Sequence, residues 1–173
     1  MDDLKKLIRE IPDHPKPGIL FYDITTLLQN KDGFHQLVDQ LCEHYNGRQV
    51  DKVAGIEARG FIFGPALAYR LNAGFIPIRK PNKLPWLRAE VSYQLEYGRD
   101  KLEMHADAVE PGERILICDD LLATGGTAAA ATQLVRQQKG EIVGAAFAVE
   151  LNFLHGRDKL QGIDVFSLMQ YDK

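Results

Sequence analysis

Cysteine is scarce in this sequence, and its placement does not suggest a disulfide framework. Cys42 and Cys118 are the two cysteines among 173 residues. They lie far apart, each inside a segment with apolar periodicity, and neither belongs to a CxxC pair. This placement predicts buried, reduced thiols rather than a structural disulfide or a thiolate metal site. We therefore expect a reducing compartment.

Long hydrophobic runs and a strong excess of charge are also absent. No apolar stretch approaches the roughly 18 residues that a membrane-spanning helix requires, and the first six residues lack the basic start and apolar block of a signal peptide. The formal net charge is only −3, whereas proteins that bind nucleic acid usually present a strongly basic face. We expect a cytoplasmic protein with neither a membrane nor a nucleic acid as partner.

The remaining composition is that of an ordinary globular domain. Hydrophobic residues make up 45% of the chain and charged residues 26%, values that exclude a disordered or fibrous protein. A chain of this length suffices for one hydrophobic core but not for two. The prediction is a single domain over residues 1–173.

Five short apolar runs alternate with segments of helical periodicity. The helical segments begin near Gly33, with Asp32 as the expected N-cap, after Arg59 and at Thr127. Continuous apolar strands that alternate with amphipathic helices are typical of a parallel sheet covered on both faces. The predicted fold class is therefore α/β, with a doubly wound, mostly parallel sheet. The predicted strands are residues 53–56, 75–78, 115–118, 142–149 and 165–168.

Two segments fall outside this alternation. Residues 1–32 form a predicted N-terminal arm, or hood, which starts with a short amphipathic helix over residues 2–11 and continues into a Pro-rich stretch. Residues 79–104 contain polar, alternating stretches, which favour an antiparallel flap over a core strand. A flap beside a parallel sheet indicates a mobile lid.

The strongest chemical signal is DDLLATGGT at residues 119–127, between a predicted strand and a predicted helix. In an open α/β sheet, ligands bind beyond the carboxyl ends of the strands, where this segment falls. Asp119 and Asp120 offer acceptors to vicinal hydroxyls, and the turn that follows offers N–H groups, hydroxyls and a positive helix end to a phosphate. A diol beside a phosphate describes a sugar phosphate. The turn consists of Ala123, Thr124, Gly125, Gly126 and Thr127.

A purely structural interpretation of this segment stays open, in which the aspartates cap the helix and the glycines only form the bend. The common nucleotide-binding loops do not fit the sequence. It contains neither GxxxxGK[ST] nor GxGxxG, so a P-loop or a dinucleotide-binding turn would need an unusual variant.

Basic residues that could meet a second anionic group occur at two other places. Arg59 follows a predicted strand, where a guanidinium can make bidentate contacts with pyrophosphate oxygens. Arg79, Lys80 and Lys83 lie together in a Pro-containing loop and could neutralise a leaving diphosphate. Taken alone, Arg59 is equally well interpreted as a surface cation, and a charge run such as that of the loop is more often simply solvated.

Together these segments resemble the type I phosphoribosyltransferases. The sequence of the motifs is similar to that of the family members that use adenine. The resemblance centres on DDLLATGGT and extends over residues 2–171, nearly the whole chain. The supporting segments are PGILF at 17–21, GIEARGFIFG at 55–64, RK at 79–80 with KLP at 83–85, LEYG at 95–98 and FSL at 166–168.

The resemblance implies an activity. The chain would transfer the phosphoribosyl group of 5-phosphoribosyl-1-pyrophosphate (PRPP) to adenine, with AMP and pyrophosphate as products in purine salvage. Mg²⁺ would be held mainly by the substrate rather than by a side-chain metal site, and the protein would be a homodimer. Two alternatives stay open: transfer to another purine base, and a non-catalytic regulator that senses PRPP.

The resemblance also implies roles for individual residues. Glu96 would act as general base or acid near the purine, while Arg59 would stabilise the leaving group. Tyr22 stands where the family commonly has arginine, so we expect the base to be recognised through backbone groups. The residues that would contact adenine are Leu20, Phe21 and Tyr22. Those that would bind PRPP are Asp119, Asp120, Ala123, Thr124, Gly125, Gly126, Thr127, Arg59, Arg79, Lys80, Lys83 and Tyr97.

Overall fold

A computed structural model describes residues 2–94 and 98–173, and it divides them into strands, helices and two short 3₁₀ turns. The strands are β1 Arg9–Ile11, β2 Phe21–Asp23, β3 Lys52–Ile56, β4 Gly74–Ile78, β5 Arg88–Gln94, β6 Arg99–His105, β7 Arg114–Leu122, β8 Glu141–Leu151 and β9 Val165–Tyr171. The helices are α1 Asp2–Lys5, α2 Thr25–Gln29, α3 Lys31–Tyr45, α4 Gly60–Arg70 and α5 Gly126–Gln137. The 3₁₀ turns are Asn152–Leu154 and Gly156–Lys159.

The central sheet has five strands in the order β4-β3-β7-β8-β9, and every neighbouring pair is parallel. The chain runs from β3 outward to β4 and then returns to the opposite side of β3 with β7. The strand order therefore reverses between β3 and β7. In sheets of this kind, a crevice opens beyond the carboxyl ends of the two strands at the reversal.

Helices cover both faces of this sheet. On one face, Leu37 of α3 and Phe63 of α4 belong to a buried cluster with the apolar side chains of the sheet. On the other face, Leu134 and Val135 of α5 pack in a second cluster together with the inner side chains of β5 and β6. The predicted α/β, doubly wound, mostly parallel fold is confirmed, because each face of the sheet buries its own set of side chains.

All five predicted core strands are present, but one predicted helix cap is wrong. The Asn30 side chain accepts a hydrogen bond of 2.9 Å from the backbone N–H of Gly33, so Asn30 rather than Asp32 is the N-cap of α3. A capping oxygen must reach the second or third N–H of the helix, and Asn30 has that spacing. Asp32 lies in the first turn, where its negative charge favours the helix end.

The helix predicted over residues 2–11 is also wrong over most of its length. α1 ends at Lys5, and β1 pairs antiparallel with β2, with Ile11 opposite Phe21. The apolar spacing still buries Leu4 and Ile8. The backbone of residues 9–11 instead forms ladder hydrogen bonds with a second segment, a non-local pairing that periodicity does not reveal.

The predicted antiparallel flap is confirmed as the β5–β6 hairpin. Its register runs from Arg88 opposite His105 to Gln94 opposite Arg99. The inner side chains Val91 and Leu102 are buried on the face that carries α5. Motion of this flap stays a prediction. In the part of the chain that the structure describes, no helix has the length and apolarity needed to cross a membrane.

Candidate active site

A cleft of about 200 Å³ opens at the carboxyl ends of β3 and β7, where the strand order reverses. It is lined by Arg59, which follows β3, and by residues 119–128, which run from the end of β7 into α5. Sheet topology therefore brings the DDLLATGGT segment and Arg59 together, although they lie far apart in the sequence. This is the position that the sequence predicts for a ligand.

A charged pair crosses the cleft. Asp120 accepts a hydrogen bond from Nε of Arg59, and Oδ1 of Asp119 accepts one of 2.9 Å from the backbone N–H of Asp120. The side chain of Asp120 is 9% exposed, whereas that of Arg59 is 49% exposed. Within the described residues, the terminal N–H groups of Arg59 have no hydrogen-bond acceptor, so they remain available to an anion.

The surroundings of the cleft shift the pKa values of Asp119 and Arg59. Burial, reinforced by the Asp120 carboxylate, raises the pKa of Asp119 well above its ordinary value. Burial opposes the charge of Arg59, but the Asp120 carboxylate outweighs this effect and raises the pKa of the guanidinium. The cleft therefore combines a guanidinium that stays charged, that of Arg59, with two adjacent aspartates. Burial makes the ionisation of Asp119 unfavourable.

The glycine turn, residues 123–127, connects β7 to α5. Gly125 has φ of 79°, in the left-handed region, and a Cβ added there would lie 2.2 Å from the carbonyl oxygen of Gly156. Both the backbone conformation and the close neighbour therefore require glycine at this position. α5 begins at Gly126, and the first N–H groups of a helix have no partners within it. The turn is built to present donors to an anion.

The basic loop, residues 79–83, is held by carboxylates and does not line this cleft. Glu57 accepts hydrogen bonds from Nζ of Lys83, from the backbone N–H of Lys80 at 2.9 Å and from Nε of Arg79 at 3.4 Å. The Lys80 ammonium pairs with Asp100 of the flap. Burial opposes ionisation of Glu57, but these donors outweigh it and lower the pKa of the carboxyl.

Tyr93 joins the flap to the glycine turn. Its hydroxyl accepts hydrogen bonds from Lys80 Nζ at 3.1 Å and from Thr127 Oγ1 at 3.3 Å, and it donates to Asp100 at 3.0 Å. Its ring lies beside Gly126, 3.5 Å from where a Cβ on that residue would stand. The end of β5 therefore lies directly at the start of α5.

The residues predicted to contact adenine lie in the N-terminal arm and do not line the cleft. The Tyr22 hydroxyl donates to the carbonyl of Lys173 at 2.8 Å, and its ring packs on Tyr171 with centroids 3.9 Å apart. Phe21 meets the ring of His14 edge-on, and Leu20 is 37% exposed. The side chain of Tyr22 therefore contacts the end of β9 and the residues that follow it.

Two predicted residues, Glu96 and Tyr97, lie outside the described residues. Gln94, the last residue of β5, has its carbonyl oxygen 3.6 Å from the position of a Cβ on Gly126. Sequence reasoning missed Glu57, Tyr93 and Asp100. Glu57 stands inside the GIEARGFIFG segment, and its place in that segment was the available signal.

No group of three or more His, Cys, Asp or Glu side chains in residues 2–94 and 98–173 is arranged to hold a metal ion. Asp119 and Asp120 are the carboxylates at the cleft, and one of them already pairs with Arg59. Mg²⁺ commonly binds through one or two carboxylates together with substrate phosphates. The donors at this cleft fit an ion that arrives largely coordinated by its substrate.

Comparison with known proteins identifies the protein family to which the chain belongs. Residues 23–168 match the phosphoribosyl transferase domain family. The adenine phosphoribosyltransferase of Acidobacterium capsulatum is 64% identical over 172 residues, which cover 99% of this chain and 95% of that protein. The chain belongs to the type I phosphoribosyltransferases and, within them, to the adenine phosphoribosyltransferase family.

Solved structures agree with this assignment. The adenine phosphoribosyltransferase of Thermoanaerobacter pseudethanolicus superimposes with a TM-score of 0.95 at 49% identity, covering 98% of this chain and 99% of that one. That of Saccharomyces cerevisiae, crystallised with an imino-altritol bisphosphate and adenine, gives a TM-score of 0.91 at 40% identity, with 96% and 97% coverage.

Proposed function

We propose that this chain transfers the 5-phosphoribosyl group of PRPP to adenine and releases AMP and pyrophosphate. The observation that carries the proposal is the cleft at the sheet reversal. There, an aspartate pair, a donor-rich glycine turn and Arg59 supply the groups that a ribosyl diphosphate requires. Relatives that match essentially the whole chain are named for this activity. They favour neither another purine base nor a non-catalytic sensor.

The reaction is a displacement at the anomeric carbon, with inversion, through a transition state of oxocarbenium character. Asp119 and Asp120 would accept hydrogen bonds from the ribose hydroxyls, and the glycine turn would bind the 5′-phosphate. Arg59, with its unused N–H donors, would stabilise the negative charge that builds on the departing diphosphate. Mg²⁺, when bound, would neutralise part of that charge.

The basic loop contributes differently. Arg79, Lys80 and Lys83 are paired with Glu57 and Asp100, so a diphosphate must compete with these carboxylates for the cations. Because the Lys83 side chain is 46% exposed and that of Lys80 is 36% exposed, the pairs are accessible to a substrate. We propose that these cations turn to the diphosphate when PRPP binds.

Glu96 and Tyr97 complete the proposed site from the flap. Glu96 would take the proton that adenine loses as the new glycosidic bond forms, and Tyr97 would contact PRPP. Closure of the flap would exclude water from the reacting centre. The base would be recognised by backbone groups of Leu20, Phe21 and Tyr22, since the Tyr22 side chain is engaged with Tyr171.

A homodimer and a cytoplasmic location belong to the same proposal. Exposed apolar side chains support association, because Trp86 is 57%, Leu87 66% and Ile62 41% exposed, and such surfaces commonly mark interfaces. Light scattering on the purified protein measures the oligomeric state directly. A monomer at micromolar concentration would contradict the dimer.

The direct test of function is incubation with Mg²⁺, PRPP and each purine base in turn. We expect AMP from adenine and at most weak product from hypoxanthine. A backbone acceptor that pairs with the adenine amino group would meet the hypoxanthine carbonyl, and an unpaired buried polar group costs about 1–3 kcal/mol. Preference for another base would identify a different transferase, and PRPP binding without turnover would identify a sensor.

The roles of the aspartates are tested by the double variant Asp119→Asn, Asp120→Asn. Each hydrogen bond to a charged group contributes about 1.5–3 kcal/mol, so PRPP affinity should fall at least tenfold while the circular dichroism spectrum stays unchanged. Isothermal titration measures the affinity. An unchanged dissociation constant would remove the pair from the sugar site.

A further inference from the structure

The turn Gly156–Lys159 packs directly against the glycine turn. A Cβ on Gly156 would lie 2.3 Å from the carbonyl oxygen of Ala123, and one on Gly125 would lie 2.2 Å from the carbonyl oxygen of Gly156. Neither position has room for a methyl group. The backbone of the 3₁₀ turn is therefore held at a fixed place relative to the start of α5.

Side chains on both sides of this contact keep the turn in place. Arg157 donates two hydrogen bonds to the buried carboxylate of Glu150, at 2.7 and 2.6 Å, and a third to the carbonyl of Val165 at 3.0 Å. Leu160 is 2% exposed in the cluster that contains α5. Such anchoring fixes the backbone of the two residues between Arg157 and Leu160, Asp158 and Lys159.

The ammonium of Lys159 lies at the glycine turn. Its Nζ is 3.9 Å from the point where a Cβ on Gly126 would stand, and Gly126 is the first residue of α5. Lys159 is exposed and, among the residues that the structure describes, takes part in no ion pair. By contrast, Arg59, Arg79, Lys80 and Lys83 all have a carboxylate partner.

We infer that Lys159 is a further substrate-binding residue, whose ammonium contacts the 5′-phosphate in the glycine turn. This inference rests on the proposed function, because it takes the turn as the phosphate subsite. The N–H groups of the turn supply directional donors and the helix end a partial positive charge. Lys159 adds a full positive charge without first having to leave an ion pair.

The test uses Lys159→Gln and ribose 5-phosphate, a ligand that has the 5′-phosphate and lacks the diphosphate. We expect the dissociation constant for ribose 5-phosphate to rise about tenfold, since a hydrogen bond to a charged group accounts for at least that factor. The dissociation constant for pyrophosphate should stay within about twofold, a split that general damage to the fold would not produce. Lys159→Arg should restore much of the affinity.

Lys139→Gln is the matched control. It makes the same charge change at an exposed lysine beyond the other end of α5. It should leave both dissociation constants unchanged, and the difference between the two variants should shrink at high salt because added ions screen the contact.

The outcomes separate the two hypotheses. If wild type and Lys159→Gln bind ribose 5-phosphate equally tightly, the proposed role of Lys159 is wrong. The proposed function stays intact in that case. Equal weakening by Lys139→Gln would also overturn the proposed role of Lys159, since the effect would then be one of net charge. Wild-type protein that neither binds ribose 5-phosphate nor consumes PRPP would overturn the proposed function, and the inference with it.

Discussion

The glycine turn and the basic loop both carry residues of the proposed PRPP site, yet different forces position them. The glycine turn follows the central strand β7, and its shape depends on backbone: a left-handed Gly125 and a close carbonyl neighbour. The basic loop depends on side-chain ion pairs with Glu57 and Asp100. Under the proposed function, the first region would be preformed for its ligand, whereas the second would exchange partners when a ligand binds.

The flap should produce the largest single effect, through Glu96. If Glu96 removes the proton from adenine, Glu96→Gln keeps the size of the side chain but lowers the turnover number about 10²–10⁴-fold with little change in substrate affinity. Steady-state kinetics with adenine and PRPP measure both quantities. Glu90→Gln, an exposed carboxylate on the same hairpin paired with Lys101, is the control. A loss below about tenfold would reduce Glu96 to a contact of the flap.

Gly125→Ala tests whether the backbone determines the glycine turn. Alanine in the left-handed region costs about 1–2 kcal/mol, and the clash with the Gly156 carbonyl adds about 1–3 kcal/mol of overpacking. Urea unfolding should show both penalties. Gly112→Ala, with φ of 84° and no atom within 4 Å of an added Cβ, should show only the first. Equal losses would mean that the turn yields easily to the clash.

The contrast between the two regions also explains what sequence could predict. Asp119, Asp120 and the glycine turn are contiguous in the chain and follow a buried strand, so motif and topology together locate them. Glu57 and Lys83 are 26 positions apart, and Tyr93 and Thr127 are 34 apart. The first pairing depends on how the loop after β4 lies beside the end of β3, and the second on how the hairpin packs against α5. For the same reason, β1 was not recognised: its partner β2 lies beyond a Pro-rich stretch.

Tyr93→Phe tests the hydrogen bonds that connect the basic loop to the glycine turn. It removes the hydroxyl that Thr127, Lys80 and Asp100 share, while the ring beside Gly126 stays. The hydrogen bond with Thr127 is neutral and contributes about 0.5–1.5 kcal/mol, so its loss should lower PRPP affinity about 2–10-fold, and adenine affinity should not change. Tyr69→Phe, at a tyrosine that is 87% exposed on α4, provides the control. Equal effects on both substrates would show that the hydroxyl only supports the fold.

Glu57→Gln should give the smallest effect, a small loss of stability that depends on pH. The folded-state pKa of Glu57 lies below its ordinary value of 4.5, because Lys83, the Lys80 backbone N–H and Arg79 outweigh burial. A carboxyl with a lowered pKa stabilises the fold above its unfolded-state pKa and loses this contribution as the pH falls through the folded-state pKa. The variant should therefore have a slightly lower melting temperature than wild type at neutral pH. The loss of stability should be less than about 1 kcal/mol, because the partners of Glu57 are partly exposed.

That difference should shrink as the pH drops from 4.5 to the lower folded-state pKa, below which the wild-type carboxyl is also neutral. Thermal melts of both proteins across this range measure it, with Glu110→Gln as the same chemical change at an exposed glutamate. Because Asp51, Asp100 and Asp164 also have lowered pKa values, acid sensitivity of the whole protein persists in the variant. A melting difference that stays constant with pH would show that Glu57 positions the basic loop by shape rather than by charge.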